Sequence, residues 1–150
     1  MTEVLFYHLE QGRLEDVLPG LLEKCLERQW RVLVRCGSPE KAEALDAYLW
    51  VYHDESFLPH SLNDHTEGSP IVLSDGPVEA LDSFDVLFLV DDAEISPEAI
   101  SSLKRSIVIF NGHDETALAR ARNFWKAVVG ADYAATYWRQ NQDGRWEKQS

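Results

Sequence analysis

Two rhythms of apolar residues divide the chain. Val4-Leu5-Phe6-Tyr7-His8-Leu9 is a mostly apolar run of strand length. Leu14, Val17, Leu18, Leu21, Leu22, Cys25 and Leu26 then recur at helical spacing over residues 14–27. Pro19 falls inside that stretch, so the helix is expected to begin late or to kink. Arg31-Val32-Leu33-Val34-Arg35 returns to strand length. Ser38-Pro39-Glu40 supplies an N-cap, a first-turn proline and an acid at the positive end of the helix dipole. It predicts a helix to Trp50 with Ala42, Leu45 and Leu49 on one face.

Residues 51–69 follow neither period and read as a long surface loop. Ile71-Val72-Leu73 and Asp85-Val86-Leu87-Phe88-Leu89-Val90 predict the third and fourth strands. Ser96-Pro97-Glu98 repeats the helix-start device and predicts a short helix to Leu103. Ser106-Ile107-Val108-Ile109-Phe110 is a fifth strand, and Asp114 caps a helix over 115–129 with Gly130 as its C′ stop. Ala135-Thr136-Tyr137-Trp138 and Arg145-Trp146-Glu147 flank Asp143-Gly144, which predicts a small C-terminal hairpin.

Runs of Val, Ile, Leu and Phe without alternation mark strands buried on both faces, and the helices between them mark crossover connections. The predicted class is therefore α/β. A three-layer, Rossmann-like, mostly parallel sheet of about five strands carries helices on both faces, plus the small hairpin. Residues 1–150 form one such domain.

Charge sharpens this picture. The chain is 45% hydrophobic and carries a formal net charge of -12. Residues 42–103 hold 14 Asp and Glu and no Lys or Arg, whereas residues 104–150 hold 8 basic and 5 acidic residues. Such acidity argues against DNA, RNA or an anionic membrane as a general electrostatic partner, and leaves room for a local basic site in the last third. No apolar run approaches the length of a membrane span, and Met1-Thr2-Glu3-Val4 lacks a signal-peptide pattern. Cys25 and Cys36 form no Cys-x-x-Cys pair, which points to buried thiols in a reduced, cytoplasmic setting.

Familiar chemistry is missing. The first strand runs into Leu9-Glu10-Gln11-Gly12-Arg13 with one glycine, and Cys36-Gly37 and Asn111-Gly112 offer one each, so no phosphate cradle and no cofactor is expected. His53, Asp54, Glu55, His60, Asp64 and His65 crowd one loop without metal-ligand spacing, and read as a solvated acidic loop. No nucleophile elbow is present, so no catalytic residue is expected. Asp91-Asp92 ends the fourth strand and supports the main alternative, a small α/β enzyme with a metal-assisted acidic site.

Two segments read as binding surfaces. At about 100° per residue, Ala117, Ala121, Phe124 and Val128 share the core face of the 115–129 helix. Leu118 and Trp125 form an apolar shoulder beside Arg122 and Lys126. That combination suits a peptide with a hydrophobic end and acidic neighbours, or a terminal carboxylate. In the second segment, Trp50 to Pro59, large apolar residues interleave with acids. Trp50 and Phe57 either cover the helix end or anchor a protein partner.

At these residues the chain resembles the chi subunit family of the bacterial DNA polymerase III holoenzyme. The likeness runs through Val4-Leu5-Phe6-Tyr7-His8-Leu9, Leu45-Asp46-Ala47-Tyr48-Leu49-Trp50 with Glu55-Ser56-Phe57-Leu58-Pro59-His60, and Ala121-Arg122-Asn123-Phe124-Trp125-Lys126-Ala127. It continues into Tyr137-Trp138 and the Gly144-Arg145-Trp146-Glu147-Lys148 ending. The resemblance implies a non-catalytic accessory of the clamp-loader complex in DNA replication. It implies binding to the acidic, hydrophobic C-terminal tail of single-stranded DNA-binding protein, and a link to the clamp loader through the psi subunit or an equivalent. Tail-binding residues carry over onto Arg122, Trp125 and Lys126, with Leu118 where the family has a further lysine, and psi-facing aromatics onto Trp50 and Phe57. Arg120 or Lys104 is expected to compensate for the missing lysine. Direct nucleic-acid contact and membrane contact are not implied.

Overall fold

The structure, a computed structural model, describes residues 2–51, 59–62, 70–76 and 81–149. Eleven regular elements follow in chain order: β1 (Glu3–Leu9), α1 (Leu14–Glu27), β2 (Val32–Cys36), α2 (Pro39–Val51), β3 (His60–Leu62), β4 (Ile71–Ser74), β5 (Val86–Val90), β6 (Arg105–Asn111), α3 (Glu115–Gly130), β7 (Ala134–Gln140) and β8 (Trp146–Lys148). The strands form one eight-stranded sheet in the order β3-β4-β2-β5-β6-β1-β7-β8. Every described pairing is parallel except β7 with β8.

The unalternating apolar runs are explained by two cores, one on each face. From β1, Leu5 and Leu9 join the core under α1 and α2, while Val4 and Phe6 join the core under α3. β5 divides in the same way, with Val86, Phe88 and Val90 facing α1 and α2, and Leu87 and Leu89 facing the other side. A strand covered on both faces has no polar face to show.

The predicted α/β class with its mostly parallel sheet is what the chain adopts. Several local features differ from the sequence expectation. α1 runs through Pro19 without interruption; proline's φ is compatible with a helix, and the change is confined to one missing amide donor. Part of the expected 51–69 loop is structured. Val51 ends α2, and His60–Leu62 is an edge strand paired to β4. Three residues held by backbone pairing carry no periodic signal. The helix expected over 96–103 is a 3-10 turn, Pro97–Ile100. The C-terminal hairpin is part of the main sheet, because β7 pairs in parallel with β1 along Glu3↔Ala134 to His8↔Arg139. Gly130 is the last helical residue of α3, and the left-handed residue after it is Asp132, at φ +66°. The Tyr133 amide donates to the Val128 carbonyl and the Asp132 amide to the Val129 carbonyl. This is the paired C-terminal arrangement usually built on glycine, and aspartate tolerates the left-handed region better than most side chains.

The caps expected at Asp114 and Ser38 are present, whereas Ser96 makes no side-chain cap bond. Asp114 Oδ1 accepts from the amides of Thr116 (2.9 Å) and Ala117 (3.2 Å), and Ser38 Oγ accepts from the Lys41 amide (3.3 Å). Cys25 and Cys36 are free and buried, and burial pushes their thiols up to about 11 and about 12, which keeps them protonated and inert. Among the described residues no helix is long and apolar enough to cross a membrane.

Candidate functional site

α3 and the strands beside it enclose a hollow of about 390 Å³. Arg122, Trp125 and Lys126, at helical offsets of three and four, form its α3 wall. Tyr137 and Arg139, two residues apart and therefore on one face of β7, form the facing wall. The buried His8 of β1 lies beside Arg139 in register, and Gln149 completes the rim. The apolar part of this wall is continuous with the core. Trp125 meets the fully buried Phe6 edge-on at 5.3 Å between centroids and Tyr137 at 5.9 Å, and Tyr137 lies nearly parallel to Phe6 at 6.2 Å.

The charge of this hollow is only partly neutralised. Arg139 sits within ion-pairing distance of Glu10, whereas Arg122 and Lys126 have no carboxylate partner among the described residues, a state they share with Lys24, Arg28, Arg35, Arg145 and Lys148 elsewhere on the surface. In a chain of net charge -12, two neighbouring unneutralised cations against an aromatic wall are suited to an anion with an apolar flank.

Beneath the hollow lies a polar cluster. Glu10 Oε1 is 2.8 Å from His8 Nε2 and 2.7 Å from Arg139 Nε, and Glu10 Oε2 is 3.2 Å from His113 Nε2. Despite this close approach, His8 Nε2 is a buried nitrogen without a formed hydrogen bond. The other ring nitrogen of His8, Nδ1, is hydrogen-bonded to the Tyr137 hydroxyl at 2.7 Å. Burial raises the Glu10 carboxyl, but the Arg139 charge and hydrogen bond, with His8 and His113, pull it below its ordinary value. Burial also lowers His8, and the opposing pull of Glu10 does not restore it.

That shift gives a pH dependence. The unfolded chain's histidine, with its ordinary value of 6.5, binds a proton more readily than folded His8. Stability therefore falls as pH drops below that value, and the loss is complete below the folded value. Thermal melting should be lower at about pH 5.5 than at about pH 7.5. A His8→Asn variant should show a smaller difference between the two, and an equal difference would assign the effect to other groups.

The other sequence-predicted positions scatter. Leu118 is half-buried against the α3-side core and does not line the hollow. Arg120 turns to Asp92 (3.7 Å) and Glu94 (3.6 Å), and Lys104 pairs with Asp85 (3.5 Å), so neither replaces the lysine missing at Leu118. The third cation comes from β7, as Arg139. Trp50 is 52% exposed at the end of α2, next to the 74% exposed Val51, and its ring lies 4.3 Å from that of His60 on β3. Phe57 lies outside the described residues, as do His53, Asp54, Glu55, Asp64 and His65. His60 is buried with Nε2 3.2 Å from the Asp46 carboxylate. Among the described residues no three His, Cys, Asp or Glu gather as metal ligands.

At the strand ends where a nucleotide fold holds phosphate, a hollow of about 360 Å³ is bordered by Glu15, Asp91, Asp92 and Asp114, and the loop amides after β1 are already engaged by a side chain. The amides of Glu10, Gln11 and Gly12 converge on Gln140 Oε1 at 2.9, 3.0 and 3.4 Å. A Cβ on Gly112 would lie 1.8 Å from His8 Nε2, and one on Gly37 would lie 1.9 Å from the Asp91 carbonyl oxygen. Asp91 and Asp92, at φ +52° and +60°, make the turn after β5. The Asp91 carboxylate accepts from Ser38 Oγ at 2.7 Å.

Fold and site together define a Rossmann-like α/β protein with a cationic, aromatic hollow beside α3. The chain belongs to the family described as DNA polymerase III chi subunit, HolC, which it matches over residues 1–136. A Pseudomonas aeruginosa protein named DNA polymerase III subunit chi is 32% identical over 80 residues, which are 51% of this chain and 56% of that relative. The chain thus matches about half the length of that curated relative.

Proposed function

We propose that this protein is a non-catalytic accessory subunit of the DNA polymerase III clamp-loader assembly. Its α3 hollow captures the acidic C-terminal tail of single-stranded DNA-binding protein, and its Trp50 surface joins psi or an equivalent subunit. The supporting observation is the pair of cations without a carboxylate partner among the described residues, Arg122 and Lys126, beside Trp125 in one hollow. The tail's apolar end packs against Trp125 while its acids or terminal carboxylate meet the cations. The strongly acidic remainder of the chain keeps the protein itself off DNA and discourages the tail from docking elsewhere.

A calorimetric titration with the cognate tail peptide tests this reading. Arg122→Ala should weaken binding by about 1–3 kcal/mol, the size of a charge-assisted contact beside an apolar pocket. Trp50→Ala should leave the tail affinity intact and reduce co-purification of psi. Added salt weakens tail binding only modestly, because few ion pairs are involved. Full affinity in the Arg122 variant would place the tail on another surface.

A further inference from the structure

Arg139 reaches the hollow from the sheet, opposite the helical cations. Its Nε donates to Glu10 Oε1 at 2.7 Å, while its two terminal nitrogens have no partner among the described residues. Its side chain is half exposed, and Glu10, only 14% exposed, sits behind it. Glu10 therefore fixes the direction of the guanidinium and leaves its outer edge free. Tyr137 lines the same hollow as Arg139 and Arg122; burial raises its phenol, and the two guanidinium charges pull the other way. The partly buried Glu10 pairs with Arg139 alone among the three cations that line the hollow, so positive charge remains for a ligand.

Resting on the tail-binding reading above, we infer that Arg139, braced by Glu10, closes with Arg122 a two-arginine clamp beside Tyr137 that holds a carboxylate of the bound peptide. Arg139 is a binding residue in this arrangement and Glu10 a positioning residue. A planar guanidinium whose Nε is already engaged offers its outer nitrogens to a carboxylate at little further ordering cost.

The test uses the full chain and three fluorescent peptides in anisotropy titrations: the cognate tail, the same tail with a C-terminal amide, and the tail with its acidic side chains (the aspartates and glutamates it holds) changed to the matching amides. Arg139→Ala should weaken the unmodified tail about tenfold, and Arg139→Lys should recover only part of this. On one of the two modified peptides the Arg139→Ala effect should disappear. Disappearance on the C-terminal amide assigns the clamp to the terminal carboxylate, and disappearance on the peptide with side-chain amides assigns it to the acidic side chains. Glu10→Ala should shrink the same difference between peptides, whereas an equal loss on all three would make Glu10 only a structural support. The clamp is overturned if Arg139→Ala binds the tail like wild type, or weakens all three peptides alike. If Arg122→Ala still weakens the tail in that case, the proposed function stands without the clamp. If the wild type binds none of the peptides, the proposed function itself falls.

Discussion

Phe6→Ala should lower the stability of the protein by about 4 kcal/mol, within the range found when a buried aromatic is truncated to a methyl group. Phe6 has no exposed surface and sits at the centre of an aromatic group with Phe124, Trp125 and Tyr137, at 5.9, 5.3 and 6.2 Å. Two of those partners form the apolar wall of the hollow. The void would therefore open beneath the site, and Trp125 could settle into it. Phe6→Leu fills most of the space and should cost about 1.5 kcal/mol. Denaturant unfolding measures both. Tail affinity should fall in the alanine variant even under conditions where it is fully folded. A stability loss below about 1 kcal/mol would show that the cluster contributes little to the core.

Gly37→Ala should cost about 3 kcal/mol, for a reason of space and not of backbone angle. Gly37 lies outside the left-handed region, yet its Cβ would stand 1.9 Å from the Asp91 carbonyl oxygen, 3.0 Å from its carbon and 3.3 Å from the Ala93 nitrogen. These are main-chain atoms. Asp91 is held by the Ser38 hydroxyl, and the turn is closed by the Ala93 amide on the Val90 carbonyl at 3.1 Å. The Cys36↔Val90 pairing ties the two strand ends together. Relief therefore requires β2 and β5 to separate at their ends. Gly20→Ala, where nothing lies within 4 Å of the added carbon, is the matched control and should be neutral or slightly stabilising. Comparable unfolding midpoints for the two variants would refute the steric account.

The sequence revealed most where burial imposed a pattern over many residues. β1 and β5 were legible because both faces of each are covered, which leaves an unbroken apolar run. α3 was legible from its wheel, and the wheel also isolated Arg122, Trp125 and Lys126, since side chains on one helix face need no long-range information. What escaped depended on contacts between distant segments. β7 was legible as one strand of the C-terminal hairpin, but its place in the main sheet comes from the backbone of β1, more than a hundred residues earlier. With it came Tyr137, Arg139 and His8. Their one local signal was the two-residue spacing of Tyr137 and Arg139, which places both on one face of a strand. Arg120 and Arg122 are indistinguishable as letters, but only the fold shows that Arg120 faces Asp92 and Glu94. Each strand end offers one glycine in the sequence, but the contacts made there, Gln140 on the Glu10–Gly12 amides and His8 against Gly112, are visible only once the strands are assembled.

The strand order also fixes a distance. Trp50 packs on β3 at one end of the sheet, and the hollow lies over β1 and β7, five strands further along. At about 4.8 Å between neighbouring strands this is a separation of roughly 24 Å. The helices that carry the two surfaces, α2 and α3, cover opposite faces. If both proposed surfaces are occupied, their ligands attach at separate places and the sheet acts as a tether between them. Engagement of one would then confine the other nearby, and the gain in overall binding would come from local concentration without any change of shape.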